Sequence, residues 1–258
     1  EYGSILIGLI REKNNNSKAK IFTIDGGLSK ITELLAKKFI NEIKFNTKVS
    51  SIVKINGSYK ITLNKGEDII CKKIISTIPA YSLKDIVFNQ KLKDVLSKVN
   101  YNPIDVFHFG FDRNTSKIKV NGFGLLTKPE DKKSFLGILF SSNIFEHISD
   151  KNKFLITVLA GGDRQKDLCN KTPKLIEKQI LNEILPLLKL ESQPEFKNHF
   201  RWSKGIPSYS MKIEGLQKEI EFFEQNNKGF YITGNYHLGV SVSDCIKNSM
   251  ELIETKFK

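Results

Sequence analysis

An apolar β run, Phe230-Tyr-Ile-Thr233, feeds a glycine turn, and a helix-like stretch from Ser243 to Phe257 follows. The segment across that junction, Gly234-Asn-Tyr-His-Leu-Gly-Val-Ser-Val-Ser-Asp-Cys-Ile246, constrains the fold more than any other. A strand, a turn and a helix in this order leave backbone N–H groups without intrahelical acceptors at the helix start. Those groups point at whatever fills the crevice beyond the strand. Spacing of this kind fits any loop that precedes a helix, so a ligand here has to be argued from the residue types.

At 258 residues the chain holds one large or two modest domains, taking roughly 100–200 residues per domain. Its 40% hydrophobic and 27% charged residues describe an ordinary globular protein. The longest apolar stretches, such as Ser4-Ile-Leu-Ile-Gly-Leu-Ile10, are too short to span a bilayer. The chain opens on Glu1 rather than Met, with an apolar run close behind, which suggests a segment of something longer. The net charge of +13 invites a nucleic-acid partner, but only Arg11, Arg113, Arg164 and Arg201 are arginines and the lysines are scattered. No clustered stripe tracks a phosphate backbone, so nucleic acid is not an expected partner. Diffuse positive charge does suit an anionic membrane surface. The expected location is cytoplasmic, peripheral on the inner face of the cell membrane. Cys71, Cys169 and Cys245 form no CxxC pair, and His108, His147, His199 and His237 show no ligand spacing. A disulfide framework, a structural zinc and metal chemistry are therefore not expected.

Along the chain, Ile21-Phe-Thr-Ile24 reads as a short strand. Ile31, Leu34, Leu35, Phe39 and Ile43 then recur at helical spacing, predicting a helix over Ser29–Lys44 with Ser29 as N-cap. Lys48–Ile55 and Tyr59–Leu63 flank Asn56-Gly57, a strong hairpin signal. A further strand is predicted over Ile69–Ile78, closed by Pro79. Leu83–Val99 reads as one helix, followed by strands over Ile104–Phe111, Phe123–Thr127, Phe135–Ser141 and Phe154–Ala160. Thr172–Leu190 is a helix that Pro186 breaks or kinks. Glu195–Trp202 is a strand and Leu216–Asn226 a helix. The middle thus reads as an α+β domain inserted between two pieces of another.

Several short motifs stand in a fixed order. They are Gly26-Gly-Leu28 before a helix, Val49 before the Asn-Gly hairpin, and Ser76-Thr-Ile-Pro-Ala80 at a strand end. Gly122-Phe-Gly124 with Leu125-Leu126, Leu136-Gly137, and Leu159-Ala-Gly-Gly162 follow. Trp202 with Pro207 and Tyr209, and the terminal Gly234–Ile246 segment, complete the set. In that order and spacing they resemble the protoporphyrinogen oxidases, FAD enzymes of haem synthesis in the amine-oxidase-like superfamily. The resemblance implies an α/β and α+β chain: a partial FAD-binding domain, Rossmann-like and GR2-type, with an inserted mixed-sheet substrate-binding domain. It divides the chain into residues 1–20, the tail of a helical membrane-binding region that Tyr2-Gly-Ser4 leaves, then 21–82 with 228–258 for FAD, and 83–227 for substrate. Two departures stand out. No G-x-G-x-x-G is present, since Thr127 follows Gly122-Phe-Gly124 where a third glycine is needed. Ser208 and Met211-Lys212 stand where relatives carry Gln and a Gly-His pair.

For FAD the resemblance implies contacts from Val49, Trp202, Gly234, Asn235, Val240, Ser241 and Val242. For a flat tetrapyrrole it implies a wall of Gly124, Leu126, Leu136 and Leu159. By periodicity alone those four read equally as core, and Trp202 as a half-buried core indole. Gly234 and Asn235 permit close backbone approach, and the Trp202 indole has a face suited to a flavin ring. No nucleophile–base pair, paired carboxylates or catalytic side chain is named, as fits a cofactor that carries the redox chemistry itself. The implied reaction is stepwise hydride transfer from a porphyrinogen to flavin, with dioxygen as the final acceptor. A homodimer is a further implied partner. Oxidation of coproporphyrinogen, or a non-catalytic remnant that binds porphyrin or a partner, remain open alternatives.

Overall fold

The computed structural model describes residues 22–208 and 213–257, and the chain divides at Asn46 and Thr47 into two units. The expectations at Tyr2-Gly-Ser4, Ile21, Tyr209 and Met211-Lys212 lie outside the described residues. In the first unit, residues 22–24 form no strand. Gly26 and Gly27 turn the chain with φ of 84° and 88°, and helix α1 (Ser29–Lys38) follows. It is shorter than expected and ends at Phe39, which leaves the helical region at φ −114° and ψ 30°. Ser29 is not the cap. Leu28 takes that position without a side-chain bond, and the Ser29 carbonyl accepts from Thr32 Oγ1 at 2.8 Å.

The second unit opens with β1 (Val49–Ile55) and β2 (Ser58–Leu63). Asn56 and Gly57 take φ of 42° and 76°, and Ile55 pairs with Ser58, as a two-residue turn with both φ positive requires. β3 (Asp68–Cys71) adds to β2, whereas β4 (Ile74–Ser76) leaves that sheet and pairs in parallel elsewhere. The single strand expected over Ile69–Ile78 is therefore two, because the chain changes sheets at Lys72-Lys73. The helix expected over Leu83–Val99 is also two, α2 (Ala80–Ile86) and α3 (Gln90–Leu96). Val87 is extended, and the Asn89 side chain accepts from Leu92 N at 2.8 Å to start the second helix afresh.

β5 (Tyr101–Asp112), β6 (Gly124–Leu126), β7 (Gly137–Leu139), the one-turn α4 (Ser141–Ile144) and β8 (Lys153–Gly161) follow. Then come α5 (Pro173–Leu188), β9 (Phe196–Pro207), α6 (Ile213–Asn226), β10 (Phe230–Ile232) and α7 (Val242–Lys256). The large sheet is antiparallel throughout, in the order β6-β7-β8-β5-β9. β10 pairs in parallel with β4. Pro186 does not break α5, which runs on to Leu188. It falls in the last turn, where one lost N–H costs a single bond, and Lys189 in the left-handed region ends the helix.

Two cores result. Ile176, Ile180 and Ile184 of α5 lie one turn apart and pack with Phe107, Phe109 and Val158 on one face of the large sheet. Each such side chain stabilises by about 1.5–3 kcal/mol relative to exposure. The second core joins Ile52 and Tyr59 to Leu83, Leu92, Ile220, Phe230 and Tyr236, so α2, α3 and α6 share it with β1, β2 and β10. Tyr59 locks it by donating its hydroxyl to the Asn227 carbonyl at 2.9 Å.

Candidate functional site

Strand alternation fixes which side chains the large sheet leaves outside its core. Asp105, Phe107, Phe109 and Phe111 are buried toward α5, so Ile104, Val106, His108 and Gly110 project from the opposite face. Register extends each position into a row across the strands. One row is Phe200, Val106, Leu159, Gly137 and Leu126. The row on one side holds Trp202, Ile104 and Gly161. The row on the other holds Asn198, His108, Thr157, Leu139 and Gly124. This face is apolar yet open: Leu126 is 86% exposed, Trp202 55% and Phe200 52%. Large apolar groups left uncovered in contiguous rows mark a binding surface.

β9 is held in register by a charge cluster on the opposite face. Asp105, fully buried, accepts from Arg201 Nε at 2.8 Å and Nη2 at 3.0 Å, and lies 2.6 Å from His199 Nε2. Burial by itself raises the Asp105 carboxyl, but hydrogen bonds from Arg201, His199 and Cys169 outweigh it and hold it below the usual carboxylate range. Burial and the same carboxylate push the Cys169 thiol up to about 11, so it is a packing residue. Because neighbours on a strand alternate, fixing Arg201 and His199 inward fixes Phe200 and Trp202 outward. Beyond Trp202 the β5–β9 ladder is irregular between Asn102 and Ile104. Gly205 fills that bulge, where a Cβ would lie 3.2 Å from Trp202 Cβ.

The tail loop is built at the end of β10. Gly234 has φ 148°, and a Cβ there would meet the Tyr236 ring at 2.9 Å. Gly239 has φ 146°, and a Cβ there would collide with Asp244 Cβ. Ser241 caps α7 through a capping box: Asp244 N donates to Ser241 Oγ at 3.0 Å, and Ser241 N donates to Asp244 Oδ2 at 3.2 Å. The box therefore uses two of the expected N–H groups internally. Those of Val242 and Ser243 remain for a ligand, by the geometry of any helix start. Leu238, Val240 and Val242 are exposed around them. Behind the loop, α6 grips it with two side chains seven residues apart. Gln217 Nε2 donates to the His237 carbonyl at 3.1 Å, and Glu224 Oε1 accepts from Ile232 N at 2.8 Å. Burial lowers the His237 pKa and raises that of Glu224.

Loop and sheet meet at the turn after β4. Gly234 lies against Thr77, whose carbonyl would be 3.8 Å from an added Cβ, and Thr233 N donates to the Ser76 carbonyl at 2.9 Å. On the other side of the turn, Ala80 N donates to Tyr101 Oη at 3.1 Å. Tyr101 stacks edge-on with Tyr81 at 4.9 Å, and Lys204 sits over the Tyr81 ring at 4.0 Å. Thus the tail loop abuts Ser76 and Thr77, and a few residues on Tyr101 of β5 and Lys204 of β9 abut Ala80 and Tyr81.

Gly124, Leu126 and Leu159 share the open face with Trp202. Leu136 is one residue off the rows, and its side chain reaches Gly162 beside Ile104 of the Trp202 row. Leu126 and Trp202 belong to neither core among the described residues. Val49 packs its side chain on the second core and pairs with Leu63 in the β1–β2 ladder. Gly234, Asn235, Val240, Ser241 and Val242 lie together in the tail loop. Sequence reasoning missed Phe200, although its alternation with Trp202 was a signal, and missed the Asp105–Arg201 pair. Among the described residues, no group of three or more His, Cys, Asp or Glu is placed to hold a metal. No helix among them is long and apolar enough to cross a membrane.

Comparison with known proteins follows the same lines. The chain is 24% identical over 282 residues to the mitochondrial protoporphyrinogen oxidase of Nicotiana tabacum, covering 96% of this chain and 56% of that protein. It is 28% identical over 277 residues to protoporphyrinogen oxidase of Dictyostelium discoideum, covering 93% and 52%. A crystal structure from Exiguobacterium sp. 255-15, of a protein provisionally named protoporphyrinogen oxidase, superposes with a TM-score of 0.79. It is 18% identical and covers 98% of this chain and 55% of that one. The chain thus spans about half the length of the curated relatives it matches. The family model described as flavin containing amine oxidoreductase matches residues 4–250, and the chain belongs to that family.

Proposed function

We propose that this chain supplies the substrate wall and the C-terminal flavin loop of an FAD-dependent oxidase that converts protoporphyrinogen IX to protoporphyrin IX with dioxygen. The observation that carries the reading is the open apolar face of the large sheet, whose β5–β9 ribbon and the tail loop both contact the Ser76–Tyr81 turn. A flat hydrophobic macrocycle needs such a wall, with few polar groups to orient it. FAD fits the residues present. The positive φ of Gly234 and Gly239 lets backbone approach a ligand where a side chain would intrude, and Val242 and Ser243 offer N–H groups to an electron-rich edge. Val49, Trp202, Gly234, Asn235, Val240, Ser241 and Val242 are the residues we assign to it.

When bound, the flavin supplies the two-electron acceptor. The chain's own residues bind and orient. Val106, Leu159, Phe200 and Leu126 offer a flat apolar surface, and Trp202 stands at its cofactor end. We assign β1–β4, α2, α3, α6 and β10 to the cofactor lobe and β5–β9 with α5 to the substrate lobe, since each set shares a core, and α7 to the cofactor lobe through the tail loop that joins it to β10. Attraction to an anionic membrane face follows from the net charge of +13.

The test is expression of the reading frame with its upstream sequence, followed by a flavin absorption spectrum and a porphyrinogen-oxidation assay read by porphyrin fluorescence. Bound yellow cofactor and turnover are expected. Folded, colourless protein would leave the non-catalytic remnant as the answer.

A further inference from the structure

Between the Trp202 row and the Gly110 row, every position on the open face is apolar or glycine except Asn198, Thr157 and His108. His108 is the one ionisable side chain among them. Its Nδ1 lies 3.0 Å from Thr157 Oγ1, which lies 2.8 Å from Ser141 Oγ. A hydroxyl can donate or accept, so this chain of contacts fixes the ring in either protonation state and leaves Nε2 for a ligand. Rows two residues apart lie about 7 Å apart along a strand. His108 is one row beyond Val106 and Leu159, and two rows beyond Trp202, so it faces the end of a bound planar ligand farthest from the indole.

The next row, Gly110, Leu155 and Phe196, opens into a cavity of about 560 Å³ also lined by Lys153, Glu195 and Asp150. Lys153 is spent there, bonded to Asp112 at 3.2 Å and Glu195 at 2.7 Å. Arg113 and Lys151 border the adjoining cavity that shares Ser149, Asp150 and Lys153, so on the rows of the open face itself the side chain able to take up positive charge is His108.

We propose that His108 anchors a carboxylate on an otherwise apolar planar ligand, and that the cavity beyond it receives the arm carrying that carboxylate. This rests on the tetrapyrrole reading of the face and adds to it the orientation of the ligand, acid arms away from the cofactor end. Burial lowers the His108 pKa in the free protein, so the ring is neutral near pH 7. A carboxylate at Nε2 favours the protonated ring through a charge-assisted bond, and binding takes up a proton. The other ionisable groups around this region are Lys153 with Asp112 and Glu195, Asp150, and Arg113, Glu146 and Lys151 of the adjoining cavity, with His147 beside Ile148 of the cavity wall; the His108→Leu variant separates His108 from all of them.

The experiment is fluorescence titration of the whole chain with protoporphyrin IX and with its dimethyl ester between pH 6 and 8. Affinity for the free acid is expected to rise as pH falls, by up to about tenfold per unit for one linked proton. Affinity for the ester is expected to stay flat. His108→Leu should abolish both the pH dependence and the acid–ester difference while leaving ester binding within about twofold. If that variant misfolds, a ring-nitrogen NMR titration of His108 in wild type replaces it: its pKa should rise on adding acid and not ester. A wild-type affinity for the acid that ignores pH, an equal loss for acid and ester in the variant, or an unmoved His108 pKa overturns the anchor alone. Failure of the chain to bind either porphyrin overturns the tetrapyrrole reading and the anchor with it.

Discussion

Asp105→Asn is the substitution with the most calculable outcome. The carboxylate is fully buried and holds Arg201 through two bonds of 2.8 and 3.0 Å and His199 through one of 2.6 Å. Removing the charge leaves the guanidinium short of its partner. Unpairing a buried ion pair costs about 3–5 kcal/mol, but Arg201 keeps 29% side-chain exposure, so water recovers part of its solvation and about 2–4 kcal/mol is expected. That corresponds to a fall in Tm of roughly 4–16 °C for a unit of this size. Urea unfolding followed through Trp202 fluorescence reads the loss on the affected strand itself. Because the folded carboxyl lies below its ordinary 3.8, the wild-type advantage is complete above that value. It disappears as pH falls through the folded pKa. The gap between wild type and variant should be constant from pH 7.5 to 5 and narrow progressively as pH falls below 4. A cost under about 1 kcal/mol at pH 7, or a gap that does not narrow at all below pH 4, would refute the claim that this pair sets the register of β9.

Ser241→Ala removes one side of the capping box and should cost about 1 kcal/mol, seen as faster hydrogen exchange in the first turn of α7. Phe200→Ala should weaken porphyrin binding by roughly tenfold, about 1.4 kcal/mol. Its Tm should move by less than about 2 °C, since it fills no core; a large Tm drop would return Phe200 to a packing role. Gly57→Ala places a side chain at φ 76° and should destabilise by about 1–2 kcal/mol in urea melts. Burial keeps the His237 pKa below 6.5, so the unfolded chain takes the proton first. Stability should be complete above pH 6.5 and decline as pH falls toward the folded value, and His237→Gln should flatten that slope.

Local signals foretold local structure. Asn56-Gly57 permits one tight turn, and the four-residue beat of Ile176, Ile180 and Ile184 permits one buried helix face. The apolar run over Ile69–Ile78 hid its break because both halves are strands and differ in partner, which residue type does not encode. Asn89 was a legible cap inside Leu83–Val99, overridden by an apolar beat that continued through it. The open face was half-legible: alternation separated its residues from the α5 side, but an apolar side chain looks the same whether protein or ligand covers it. Asp105 and Arg201 lie 96 residues apart, so their pairing left no local trace. The tail loop was legible as strand, turn and helix, while the capping box that consumes part of its N–H supply was visible in the Ser241 to Asp244 spacing and went unweighed.

The β5–β9 ribbon runs from the second core, where Tyr101 pairs with Pro207, into the first, where Gly110 pairs with Phe196. Its ladder slips at Pro103 opposite Ser203–Gly205, a place where a ribbon bends and twists while the pairing on either side stays stiff. Mechanically this is a lever with a single soft joint beside the indole. A side chain added at Gly205 would meet Trp202 Cβ at 3.2 Å and Ile104 Cγ1 at 3.4 Å, so a change of one residue's bulk at this joint would be felt directly by the indole end of the open face.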